Sequence, residues 1–155
     1  GSAGMFVIGK WGEPLDRSGD QACKGRWAGE SARREGGVIS IAASCSDGLG
    51  GESFYRNLAE AASPEELVGR VAAVPGGRTE PDQWEFQILA RILSKRKVIV
   101  VTRDCDHRML ERMHLSAAST LPQALGMAYA LLGPDAKLAA LPHGLSVIVN
   151  PSRCF

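Results

Sequence analysis

Val98-Ile99-Val100-Val101 is an unbroken run of β-branched residues. Such a run fits a strand covered on both faces, the setting of a central strand in a parallel sheet. Just before it, from Pro81-Asp82, Trp84, Ile88, Leu89, Ile92 and Leu93 recur at helical spacing. Lys95-Arg96-Lys97 follow, at the negative end of that helix's dipole. A helix feeding a buried parallel strand is half of a βαβ unit, and the rest of the chain repeats the pattern.

Met5–Ile8 reads as a strand closed by Gly9, with Gly12-Glu13-Pro14 as a turn. A helix is expected from about Ser18 to Arg34. Ser18 and Gln21 have capping-box spacing, and Asp20 suits the positive end of the dipole. Ala22, Gly25, Ala28, Gly29 and Ala32 make one side of it small. Each interior glycine costs about 1 kcal/mol relative to alanine, which implies close packing against a sheet or a ligand.

Gly36-Gly37 ends that helix and Val38–Ala43 reads as a buried strand. The Gly-rich loop Ser46–Gly51 leads to a helix through Phe54, Tyr55, Leu58 and Ala62. Ser63-Pro64-Glu65-Glu66 is a second capping box, opening a helix to about Ala73. Helices are expected over Asp106–Met113 and Leu121–Leu132, and strands over Lys137–Leu141 and Ser146–Asn150. The fold class that follows is α/β: a three-layer α/β/α, Rossmann-like domain with a mostly parallel sheet. Gly1–Gly4 reads as a cloning remnant, and residues 5–155 as a single domain.

Composition agrees with one soluble globular domain: 155 residues, 45% hydrophobic and 23% charged. A formal charge of +1 removes any bulk electrostatic case for nucleic acid or an anionic membrane. No apolar run approaches the roughly 20 residues of a spanning helix, and no signal peptide opens the chain. Cys23, Cys45, Cys105 and Cys154 form no CxxC and no Cys/His cluster, which excludes zinc ribbons and thioredoxin-type motifs. Four cysteines permit two disulfides on parity, but a core of this size needs no staple, and reduced, mostly buried thiols in a cytoplasmic protein are the expectation.

Ligands of such sheets sit at the carboxyl ends of the strands. Three loops qualify there: 9–18, 44–51 and 102–106. The Gly-rich second loop is either a cradle of backbone N–H groups for a phosphate or carboxylate, or a tight turn needing positive φ. It matches neither GxGxxG nor GxxxxGK[ST], so support for a nucleotide is weak. Gln21 and Lys24, three apart, share one helix face just after the first loop. They are either ligand groups, or a capping-box partner and a solvated lysine. Trp84 either walls a small pocket or packs in the core. Asp47 is a candidate cap for the helix that follows it. His107, His114 and His143 lack the i, i+4 spacing of a helical metal pair, so no metal site is expected. These residues by themselves specify a fold and no reaction.

Gly12-Glu13-Pro14-Leu15-Asp16, Gln21, Lys24, Gly36-Gly37-Val38-Ile39 and Ser46-Asp47-Gly48 resemble, in order, the C-terminal domain of the nickel-pincer-dependent lactate racemase family. Asp82-Gln83-Trp84 with Gln87–Leu93 is similar to that family's signature helix, and Pro142–Val149 to its closing strand pair. The likeness runs from about residue 5 to 151.

The resemblance implies a 2-hydroxyacid racemase or epimerase working at a cleft between two domains. The nickel ligands, the lysine tethering the nickel-pincer nucleotide and the histidine acid/base pair belong to the family's N-terminal domain. That domain is the implied partner, and no cofactor is expected in this chain alone. The C-terminal domain contributes a Gln, a Lys and a Trp, which match Gln21, Lys24 and Trp84. Lys24 would neutralise a carboxylate or developing oxyanion, Gln21 would orient by hydrogen bond, and Trp84 would exclude water. The family's Tyr before the Gln is Asp20 here, and the His of its Asp-Gly-His-Gly loop is Leu49. Asp20 therefore joins the substrate-binding candidates, and the isolated chain is expected to be inactive. The competing expectation is a non-catalytic α/β binding or assembly module that kept the fold.

Overall fold

The computed structural model describes residues 4–9, 36–45 and 50–141. Five strands form one sheet: β1 (Gly4–Ile8), β2 (Val38–Ala42), β3 (Lys97–Val101), β4 (Ser116–Ala118) and β5 (Lys137–Leu141). Their order is β4-β3-β2-β1-β5, and all four pairings are parallel. Between β2 and β3 come α1 (Glu52–Glu60), α2 (Pro64–Ala72) and α3 (Gln83–Leu93). α4 (His107–Arg112) joins β3 to β4, and α5 (Leu121–Leu132) joins β4 to β5.

Alternation along the strands makes the layers. Ile8, Ile39, Ile41, Val98 and Val100 point to one face, where they pack with Phe54, Leu58, Leu67, Phe86, Leu89 and Ile92 of α1–α3. Met5, Val38, Ile99 and Ala118 point to the other, against Ala124 and Ala128 of α5. Successive residues of a strand face opposite ways, so a strand of continuous apolar residues serves both layers. Each fully buried Phe, Leu or Ile contributes about 1.5–3 kcal/mol relative to leaving it exposed. The small Ala124 and Ala128 let α5 lie close on the sheet.

The three-layer α/β expectation holds for this sheet and these helices, and several boundaries agree closely. Ser63 accepts a hydrogen bond from the Glu66 N–H at 3.2 Å with Pro64 in the first turn, so α2 starts at its capping box. α5 begins after Thr120, whose hydroxyl accepts from the Gln123 N–H at 3.3 Å, and it ends at Gly133 with φ of 90°.

Three features depart from, or add to, what the sequence conveys. β4 is a strand the sequence does not announce, because Ser116-Ala117-Ala118 is too short to show any period. It gains strand character from pairing with Ile99–Val101. Trp84 is not a core residue: it is 51% exposed, and Phe86 and Ala90 join Leu89, Ile92 and Leu93 on the buried side of α3. The geometry explains this, since five residues separate Trp84 from Leu89, about 140° around a helix. The cap of α1 falls on Gly51, which lends no side chain; Asp47 itself lies outside the described residues. So do the expected helix from Ser18 to Arg34 and the strand Ser146–Asn150.

Candidate functional site at the carboxyl edge

All five strands run the same way, so their carboxyl ends share one edge of the sheet. β1 and β5 are neighbours, with Ile8 level with Leu141. β2, β3 and β4 are laid down in succession on the far side of β1. The order of strands therefore reverses between β1 and β5, and in open α/β sheets ligands bind in the crevice at such a point. The chain leaves β1 there on its way to Asp20, Gln21 and Lys24. These three candidates lie outside the described residues, as do Leu49 and His143.

Trp84 is described, and it stands at this same edge. α3 ends at Leu93, four residues before β3 begins at the opposite edge, so its first turn lies at the carboxyl end. The turn preceding it is held against α1. Asn57, 9% exposed, donates through Nδ2 to Glu80 Oε2 at 3.1 Å and to the Ser53 carbonyl at 2.9 Å. Arg70 in turn donates to the Asn57 carbonyl at 3.2 Å. Two residues after Glu80, the Asp82 carboxylate lies over Gly51, where a Cβ would collide with it.

Next along the edge, a cleft of about 660 Å³ opens over the ends of β2, β3 and β4. Ser44, Thr102, Arg103, Asp104, Ser119 and Thr120 supply its polar groups beside a larger apolar lining. Thr102, 4% exposed, donates to the Ser44 carbonyl at 2.8 Å and so ties the loop after β2 to the loop after β3. Arg103 Nε reaches the Ser119 carbonyl at 3.4 Å. Thr102, Arg103 and Asp104 of the loop 102–106 thus line a cleft at the carboxyl edge.

The ends of the Gly-rich loop carry positive φ, 53° at Cys45 and 109° at Gly50. At these two positions the tight-turn reading applies; residues 46–49 lie outside the described set. For Cys45, buried and not a glycine, the left-handed conformation costs on the order of 1–3 kcal/mol and is kept only because its surroundings enforce it.

The two described histidines are engaged by backbone carbonyls. His107 Nε2 bonds to the Thr102 carbonyl at 3.1 Å and His114 Nε2 to the Ala61 carbonyl at 3.0 Å. A carbonyl only accepts, so Nε2 carries the proton in both bonds. Among the described residues no three His, Cys, Asp or Glu side chains are grouped to hold a metal ion. Cys105 is a free thiol. Burial first, and the Asp106 charge second, push the Cys105 thiol up from its ordinary value. Reading the sequence missed Thr102, Gly51 and Asp82 as site-building residues, because each acts on a partner far along the chain.

Residues 2–149 match the family described as the lactate racemase C-terminal domain. The lactate racemase of Thermoanaerobacterium thermosaccharolyticum is 42% identical over 148 residues, covering 96% of this chain and 35% of that protein. The lactate racemase of Lactiplantibacillus plantarum is 44% identical over 139 residues, covering 90% of this chain and 33% of its own length. The apoprotein structure of the Thermoanaerobacterium enzyme superposes with a TM-score of 0.91 at 41% identity, over 97% of this chain and 36% of that one. The chain thus spans about a third of the length of the curated relatives it matches. It belongs to the lactate racemase C-terminal domain family.

Proposed function

We propose that this chain is the substrate- and cofactor-closing domain of a 2-hydroxyacid racemase or epimerase. In this reading residues 5–155 form one domain that works in the cytoplasm against an N-terminal partner domain, which holds a nickel-pincer nucleotide. The observation that carries it is the position of Trp84: a half-exposed indole on the carboxyl edge of a family member, where core packing does not explain it. A flat aromatic surface there fits the wall of a site closed by a second domain. No helix among the described residues is long and apolar enough to cross a membrane.

When bound, the nucleotide supplies a hydride acceptor. The residues of this chain do the rest of the work assigned to its side of the cleft. Lys24 holds the substrate carboxylate, or an oxyanion developing beside it, through a charge-assisted hydrogen bond. Gln21 orients the substrate through its amide, which both donates and accepts. Trp84 excludes water from the path of the transferred hydrogen. Asp20 accepts from hydroxyl groups and gives no donor to a second carboxylate, which favours polyhydroxy acids over lactate.

The test is loss of optical activity of single-enantiomer 2-hydroxyacids in D2O, with the α-hydrogen retained, measured on the full-length protein loaded with its cofactor. Racemisation that collapses in Trp84→Ala and Lys24→Ala supports the proposal. No racemisation of any 2-hydroxyacid tried would leave this domain as the non-catalytic binding or assembly module.

A further inference from the structure

The start of α3 differs from that of the other described helices. Gly51, Ser63, Asp106 and Thr120 precede their helices with extended backbone, at φ of −61°, −157°, −66° and −141°. That is the usual cap conformation. Asp82 precedes α3 in the left-handed region, at φ of 59° and ψ of 10°, and its side chain makes no capping hydrogen bond. A helix does not need this to begin.

The carboxylate is used on the neighbouring helix instead. It lies where a Cβ of Gly51 would be, at the positive end of α1, whose own cap residue has no side chain. The turn before it is closed on itself: the Glu80 N–H donates to Gln83 Oε1 at 3.0 Å and the Gln83 N–H to the Glu80 carbonyl at 3.2 Å. Glu80 is also anchored to the buried Asn57. The turn is therefore fixed to α1 at Asn57 and at Gly51, and Trp84 emerges two residues beyond the second point.

We propose that Asp82 is a positioning residue for Trp84. Its left-handed backbone and its seat on Gly51 set the direction in which the indole leaves α3 at the carboxyl edge. The proposal deepens the functional reading above and rests on it for the use to which Trp84 is put. Sparsely populated backbone conformations persist where the surroundings over-determine them, and here the close approach of Gly51 is what does so.

The first variant is Gly51→Ala. With φ of −61° the backbone suits alanine, and the new methyl group meets only the Asp82 carboxylate. Fluorescence is recorded on this chain, with Trp84→Phe in each background isolating the Trp84 signal from Trp11 and Trp27. Gly51→Ala should shift the Trp84 emission by several nanometres and change its iodide quenching about twofold, with the melting temperature nearly unchanged. Asp82→Ala, which resists the left-handed region, should move the signal, and Asp82→Asn, which tolerates it, should restore it.

An unchanged Trp84 signal in folded Gly51→Ala overturns the proposal, whatever Asp82→Ala does. In the cofactor-loaded full-length protein, Gly51→Ala should lower kcat at least fivefold with little effect on KM. A moved Trp84 signal with unaltered kcat and KM would retain the positioning role, and would refute the use of Trp84 in the reaction.

Discussion

Thr102 Oγ1 donates to the backbone carbonyl of Ser44 at 2.8 Å, across 58 residues of sequence. The hydroxyl also stands 3.4 Å from the Asp104 N–H, so one side chain links the β2 loop to the turn that leaves β3. Both loops border the cleft at the carboxyl edge. Thr102→Val keeps the shape and removes the hydroxyl. It should destabilise the fold by about 0.5–1.5 kcal/mol, the net worth of an ordinary hydrogen bond. Urea unfolding checks this: the midpoint should fall with the slope unchanged.

Ser63 caps α2 and also lowers the pKa of the neighbouring Glu65. The Glu65 carboxyl lies below its ordinary 4.5, through a backbone hydrogen bond first and the Ser63 side chain second. A depressed carboxyl contributes stability above its unfolded pKa and loses it as pH falls through the folded one. Ser63→Ala should cost about 1 kcal/mol at neutral pH through the lost cap. It should also return Glu65 part of the way towards 4.5, so the variant loses less stability than the parent on acidification below that point. Carboxyl titration by NMR, with thermal melts at pH 3 and pH 7, would settle both halves.

Cys105 should be slow to alkylate at neutral pH. Its thiol is raised above the ordinary 9.0 by burial and, second, by Asp106, so the reactive thiolate is scarce until the solution is strongly basic. Asp106→Asn retains the oxygen that accepts the Arg108 N–H at 2.9 Å and removes the charge. It should bring the midpoint part of the way down and leave the burial effect in place. The measurement is the iodoacetamide rate at Cys105 against pH, followed by mass spectrometry. A midpoint below that of a free thiol would contradict the prediction.

Lys24→Ala in the full-length protein should cut turnover far more than it affects folding. A charge-assisted hydrogen bond to a carboxylate is worth about 1.5–3 kcal/mol, roughly ten- to 150-fold in the relevant constant. Wild-type kinetics in the purified variant would reduce Lys24 to a surface residue.

A substrate-binding role for Asp20, as proposed above, predicts a particular substrate preference. Across a panel of lactate, malate and sugar acids, the full-length protein should show its highest kcat/KM on a polyhydroxy acid, and Asp20→Asn should narrow that preference. Lactate as the favoured substrate in both proteins would end the idea.

Features built from neighbouring residues were legible in the chain alone. Val98–Val101 announces a buried strand because β-branching acts residue by residue. Ser63-Pro64-Glu65-Glu66 announces a helix start because the cap closes over three residues. The ordered motifs from Gly12 to Val149 point to the family for the same reason: each is a short local pattern. Trp84 was legible as a candidate and its exposure was not, since a helical period ranks residues around an axis without saying which of two apolar arcs the sheet covers.

Tertiary structure alone decided the rest. Three residues at Ser116–Ala118 carry no period and become a strand by pairing with β3. The left-handed Asp82 meets Gly51 from 31 positions away, and Thr102 meets Ser44 across 58. Local propensity governs groups separated by a turn of helix or a pleat of strand. Contacts closed by long loops exist only after the sheet has set its order, β4-β3-β2-β1-β5, and brought the carboxyl ends of its strands to one edge.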